Sequence, residues 1–135
     1  MTLSGKKALV TGAAGGIGQA IVRALTDAGA AIAATDIQLE GIPCDAAIPG
    51  DLTDSAHCDA LPAKAREALG GLDIVINNAG VIRRGVITDS TDDDYVQSMA
   101  VNVEAPFRIC RAAIPILAAN GGGAIVNVSS CWGVR

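Results

Sequence analysis

Residues 11–18 read Thr-Gly-Ala-Ala-Gly-Gly-Ile-Gly, and their place between two apolar segments constrains the fold more than any other feature of the chain. Before them, Lys6-Lys7-Ala8-Leu9-Val10 reads as a short buried strand. After them, from Gln19 onward, Ala20, Ile21, Ala24, Leu25 and Ala28 recur at helical spacing, and Gly29 closes the helix. A strand that turns straight into a helix brings the helix's unpaired amides and positive dipole end to the turn. Gly12 permits a tight turn, Gly16 lets main chain approach a bound group, and Gly18 lets the helix lie close on the sheet. With Gly15 and Ile17 completing the run, the segment predicts a cradle for the diphosphate of a dinucleotide. An ordinary strand-to-helix turn is the alternative.

The rest of the chain repeats the alternation. Ala30–Thr35 is a second apolar run ending in Asp36, and Ala46–Gly50 a weaker third ending in Asp51-Leu52. Ser55–Leu69 is helical in composition and stopped by Gly70-Gly71, although Pro62 should kink or split it. Leu72–Ile76 is a fourth strand, running into Asn77-Asn78-Ala79-Gly80. A long helix follows. Thr91 can cap it, Asp92, Asp93 and Asp94 favour its positive end, and Val96, Met99, Val103, Phe107, Cys110, Ile114 and Leu117 form its apolar face. Gly121-Gly122-Gly123 ends it, and Ala124–Val128 is a fifth strand leading to Ser129-Ser130. The alternation predicts a doubly wound parallel α/β sheet in three layers, strand order 3-2-1-4-5, as one domain over residues 1–135. Half of the residues are hydrophobic, yet there is one Trp, one Tyr and one Phe. The core must therefore be aliphatic, as suits a parallel sheet under small-residue helices.

Charge and ligand chemistry narrow the function. A net charge of −4 with no basic stripe argues against nucleic acid. No apolar stretch nears the roughly 20 residues that cross a bilayer, and no signal peptide stands out, so a cytoplasmic chain is expected. The cysteines at 44, 58, 110 and 131 include no C-x-x-C pair, and His57 is the single histidine, so no metal site is expected. The thiols read as reduced packing residues, with Cys131, in a loop beside the proposed site, the one that could be reactive.

Individual residues point the same way. Asp36 ends the second strand, where a carboxylate accepts hydrogen bonds from both adenosine ribose hydroxyls and repels a 2′-phosphate. Two consecutive amides, Asn77 and Asn78, are costly at a buried strand end unless they tie neighbouring strands together. Asn102 lies four residues before Pro106, which has no N–H, so the Asn102 carbonyl loses its normal helical partner and can hold an ordered water. Arg83 and Arg84 either steer an anionic substrate or form a solvated pair, and Trp132 either lines a substrate cavity or packs.

The spacing Thr-Gly-x3-Gly-x-Gly resembles the cofactor motif of the short-chain dehydrogenase/reductase family, in its single-domain Rossmann branch. The resemblance implies that Asp51-Leu52 meets the adenine edge and that Asn78, Ala79 and Gly80 lie against the adenosine ribose side. It implies that Asn102 holds a water in a proton relay and that Ser130 is the catalytic serine. NADP-preferring members carry Arg or Lys where this chain has Ala13, Ala14, Gly15 and Ile37, so NAD is expected over NADP. Most members have a helix between the second and third strands. Here the 14 residues between Asp36 and Asp51 include Gly41, Pro43, Pro49 and Gly50, so a loop or single turn is expected, as in 2,3-dihydro-2,3-dihydroxybenzoate dehydrogenases. The family's Tyr-x-x-x-Lys acid/base pair is not among these residues: the one tyrosine, Tyr95, is followed four positions later by Met99. The expectation is the N-terminal portion of a longer NAD-dependent oxidoreductase that interconverts a secondary alcohol and a ketone. A homo-oligomer, dimer or tetramer, is expected through the long helix. The alternative is a non-catalytic NAD-binding or interaction module.

Overall fold

The structure, a computed structural model, describes residues 2–130; Cys131 and Trp132 lie outside the described residues. Five parallel strands form one sheet in the order β3-β2-β1-β4-β5. They are β1 (Lys7–Thr11), β2 (Ala31–Thr35), β3 (Ala46–Ala47), β4 (Ile74–Asn77) and β5 (Ala124–Asn127). The helices are α1 (Gly16–Asp27), α2 (Ser55–Leu69), α3 (Asp92–Met99) and α4 (Ala105–Ala119), and a 3₁₀ turn spans Ile87–Asp89.

Side chains alternate across the sheet and give two apolar layers. On one face Leu9, Ala33 and Val75 pack with Leu61 of α2 and with Ala105, Ile109 and Leu117 of α4. On the other, Ala8, Val10, Ile32 and Ala34 pack with Val22 of α1. No helix stands between β2 and β3, as the glycines and prolines there foretell. Leu39, Ile42 and Cys44 of that loop pack on the second layer in its place. β3 is shorter than expected, but Ile48 N–H donates to Ala34 O at 2.9 Å and Gly50 N–H to Asp36 O at 3.0 Å, so pairing continues to the edge of the site.

Two expectations are corrected. Pro62 does not split α2, which runs unbroken with Pro62 buried in its interior. Packing between α2, α4 and the first layer outweighs the one backbone bond that proline forfeits. The apolar face expected for the long helix is not its core face. Of the expected positions Leu117 is buried and Cys110 half-buried, but Val96, Met99, Val103, Phe107 and Ile114 are exposed, and Val101, Ala105, Ile109 and Ala113 are buried in their place. Within α4 both faces carry apolar side chains, and before it residues 100–104 form a π-helical segment in which the Ala105 amide reaches back five residues to the Ala100 carbonyl. One extra residue in the turn shifts the helical phase between α3 and α4.

Candidate dinucleotide-binding site

The strand-to-helix turn builds one wall of a cavity of about 340 Å³ at the carboxyl ends of β1, β2 and β4. Gly12, Gly15, Gly16, Ile17 and Gly18 line it from the turn, and Asp36, Asp51 and Leu52 from the ends of β2 and the β3 loop. Asn78, Ala79 and Gly80 close it from β4. All eleven residues expected at the cofactor are thus brought to one cavity, together with Ile37, Gly50, Val81 and Val101.

The glycines are fixed by contacts. Gly12 has φ +63°, and a Cβ there would stand 2.7 Å from Ala79 Cα and 3.0 Å from Ala79 N. A Cβ on Gly18 would collide with the Gly12 carbonyl oxygen, so α1 can start this close to β1 only with glycine at that position. At Gly16 a Cβ would meet no protein atom within 4 Å, which leaves its main chain open to the cavity.

The helix starts differ in a telling way. Asp54 caps α2 by accepting from Ala56 N–H, and Thr91 caps α3 in a reciprocal box with Asp94. Asp94 is held below the usual carboxylate range by the Thr91 amide and hydroxyl. α1 begins at Gly15 with no side-chain cap. The residues of its first turn, Gly16, Ile17 and Gly18, line the cavity, and their amides are ones no helix can satisfy internally.

The polar residues around the turn are held by backbone. Asp36 Oδ2 accepts from Ala14 N–H at 2.9 Å and Oδ1 from Ile37 N–H at 2.7 Å. The carboxylate is oriented, yet lone pairs remain for a ligand hydroxyl. Asp51 Oδ1 accepts from Thr53 N–H at 2.8 Å. The amide pair does tie three strands together: Asn77 Nδ2 donates to Asn127 Oδ1 at 2.7 Å, and Asn78 Nδ2 donates to the Thr11 and Gly12 carbonyls at 3.1 Å each. Thr11, overlooked in the sequence beyond its place in the motif, supplies a hydroxyl that accepts from both Asn78 and Ala79 N–H at 3.0 Å.

Asn102 and Ser130 do not line this cavity. Asn102 sits in the π-helical segment, and its side chain clasps Val81: Oδ1 accepts from Val81 N–H and Nδ2 donates to Val81 O, both at 2.9 Å. That clasp fixes the chain leaving Gly80. Ser130 follows β5 at the same carboxyl edge of the sheet. Arg83 pairs with Asp94 and Gln97 and so belongs to the surface of α3, and Arg84 is exposed. The thiols of Cys44, Cys58 and Cys110 are free, and burial pushes Cys58 up to about 11, which makes it inert packing. Among the described residues no cluster suited to a metal ion occurs, and no helix is long and apolar enough to cross a membrane.

Comparison with known proteins agrees with this geometry. A family model described as short chain dehydrogenase matches residues 6–135. D-threitol dehydrogenase of Mycolicibacterium smegmatis is 38% identical over 139 residues, covering 95% of this chain and 54% of its own length. Sorbitol dehydrogenase of Cereibacter sphaeroides is 36% identical over 144 residues, covering 100% of this chain and 56% of its own. A crystal structure of a short chain dehydrogenase from Burkholderia cenocepacia in complex with NADP superposes with TM-score 0.91 at 37% identity, over 100% of this chain and 59% of that one. The chain spans about half the length of the curated relatives it matches.

Proposed function

The chain belongs to the short-chain dehydrogenase family, and on that premise we propose that it is the cofactor-binding portion of an NAD-dependent oxidoreductase that interconverts a secondary alcohol and a ketone. One observation carries the reading: of three helices that start from loops, the one facing the cavity lacks a side-chain cap. Its amides and dipole would hold the diphosphate, with Gly16 leaving room for close approach. Asp36 would accept from the adenosine ribose, Asp51 and Leu52 would border the adenine, and Asn78, Ala79 and Gly80 would lie against the adenosine ribose side. When bound, the cofactor supplies hydride exchange with a carbinol or carbonyl carbon.

The remaining roles rest on the family and on local chemistry. The Asn102 side chain is committed to Val81, which leaves its main-chain carbonyl, opposite the N–H that Pro106 lacks, to hold a water. The Ser130 hydroxyl would hydrogen-bond the substrate oxygen. These 135 residues contain no Tyr-x-x-x-Lys, so the acid/base pair would come from elsewhere in the protein that carries this chain. The exposed stripe of Val96, Val103, Phe107 and Ile114 would serve the homo-oligomer contact. The relatives that match include NADP-bound proteins. NAD is nevertheless the expected cofactor here, because Asp36 faces the cavity and no cation stands at Ala13, Ala14, Gly15 or Ile37.

The test is a fluorescence titration with NADH and NADPH. NADH should saturate the protein at lower concentration, and Asp36→Ala should weaken NADH by about tenfold, the size of one charge-assisted hydrogen bond, and narrow the gap to NADPH. No saturable signal with either nucleotide overturns the reading; unchanged selectivity in Asp36→Ala removes the role of that residue. Binding without turnover of any alcohol or ketone in a protein that also supplies the acid/base pair would favour the non-catalytic module.

A further inference from the structure

His57 stands in the first turns of α2, one of four buried polar or charged residues among the described residues, and it does not line the cavity. Its ring occupies the space where Gly50 would carry a side chain: a Cβ at that glycine would overlap Cε1, Nε2 and Nδ1 together. Gly50 has no positive φ, so a glycine is required there by the ring and not by the backbone. Its Nε2 lies 3.4 Å from Thr35 Oγ1, a buried hydroxyl with 0% exposure. Thr35 immediately precedes Asp36 and Gly50 immediately precedes Asp51. Between those two points the backbone is closed by the bond from Gly50 N–H to Asp36 O. His57 therefore lies behind the one junction from which both carboxylates and Leu52 enter the cavity.

We propose that His57 is a positioning residue for the adenosine half of the bound cofactor, holding the Gly50–Leu52 wall at its distance from Asp36. A planar ring suits the task. It fills a flat gap beside main chain, with the Nδ1–Cε1–Nε2 edge against Gly50 and Nε2 within reach of the Thr35 hydroxyl. Desolvation favours its neutral form. The inference rests on the dinucleotide reading of the cavity and adds to it a residue that touches no part of the ligand.

The experiment compares three ligands on the purified protein: NADH, ADP-ribose, which lacks only the nicotinamide, and reduced nicotinamide mononucleotide, which lacks the adenosine half. His57→Ala should weaken NADH and ADP-ribose by the same factor, on the order of fivefold, and leave the mononucleotide unchanged. His57→Gln, which can return a nitrogen to Thr35, should restore ADP-ribose to within about twofold. Gly50→Ala should weaken the same two ligands because its methyl strikes the ring, and should cost nothing further in the His57→Ala background. Equal weakening of all three ligands, no weakening of ADP-ribose, or a Gly50→Ala defect that persists once the ring is gone each overturns the inference. Should His57→Ala not fold by circular dichroism, Thr35→Val removes the ring's anchor alone and is read by the same ligand comparison. A wild-type protein that binds neither NADH nor ADP-ribose would instead overturn the cofactor reading, and this inference with it.

Discussion

β2 and β5 are both strands of one parallel sheet, and they live in different surroundings. β2 is buried at four of its five positions, while β5 is buried at none of its four. β2 lies between two layers: Ala33 faces the side of α2 and α4, and Ile32 and Ala34 face α1 and the loop that follows Asp36. On β5, Ile125 packs against the α4 layer, but Val126 on the opposite face and Val128 just past the strand stay 47% and 42% exposed. The flank that forms the nucleoside side of the cavity is thus closed on both faces by the residues described. The flank that carries Ser130 is closed on one. The difference teaches where sequence is constrained by packing. Along β2 each side chain must fit two layers, which explains a run as small as Ala-Ile-Ala-Ala-Thr.

The contrast predicts unequal responses to the same kind of truncation. Ile32→Ala removes a fully buried side chain and should destabilise by about 2–5 kcal/mol. Val126→Ala, half exposed on the open face, should cost no more than about 0.5 kcal/mol. Denaturant melts of the two variants decide the matter. Comparable losses would mean that the β5 face is covered in solution, and the contrast between the flanks would fail.

A smaller effect sharpens the comparison within the closed flank. Gly18→Ala places a methyl against the Gly12 carbonyl, and Gly12 cannot retreat because Ala79 stands behind it. Overpacking of that kind should cost about 1–3 kcal/mol. It should also displace the first turn of α1 and abolish saturable NADH binding at concentrations that fill the wild type. Gly16→Ala meets no protein atom, so it should leave the melt unchanged while weakening NADH. Equal stability losses in the two variants would show that the turn is not packed as described.

Much of this was legible in the chain because its signals are local. Glycine spacing at 12, 16 and 18 marks the turn, strand and helix periods mark the layers, and the glycines and prolines between Asp36 and Asp51 mark the absent helix. The stripe on the long helix was misplaced because both faces of α4 are apolar, so periodicity alone cannot choose. Thr11 went unread because a threonine at a strand end is ordinary, and its two accepted bonds come from residues 67 and 68 positions away. His57 carried no pattern at all. A lone histidine in a helix signals nothing until the structure lays it against Gly50.

The smallest expected effect concerns that same histidine and the stability of the closed flank. Its folded value lies below 6.5, mainly through burial, with Lys64 pushing the same way and Asp54 and Asp51 opposing. Thr35, the neighbour it meets on β2, is uncharged. An unfolded chain would therefore take up a proton at a pH where the folded protein declines it. Stability is full above about pH 6.5 and falls as pH drops through the folded value. The exposed carboxylates held low by arginines, Asp59 and Glu104, lose their pairing only in the more acidic carboxylate range, so the two contributions separate along the pH axis. Melts taken in steps from about pH 8 to about pH 5 should show a shallow decline in the wild type that His57→Gln removes. A decline that persists in His57→Gln would assign it to another group, and the buried ring would then titrate alike in folded and unfolded chains.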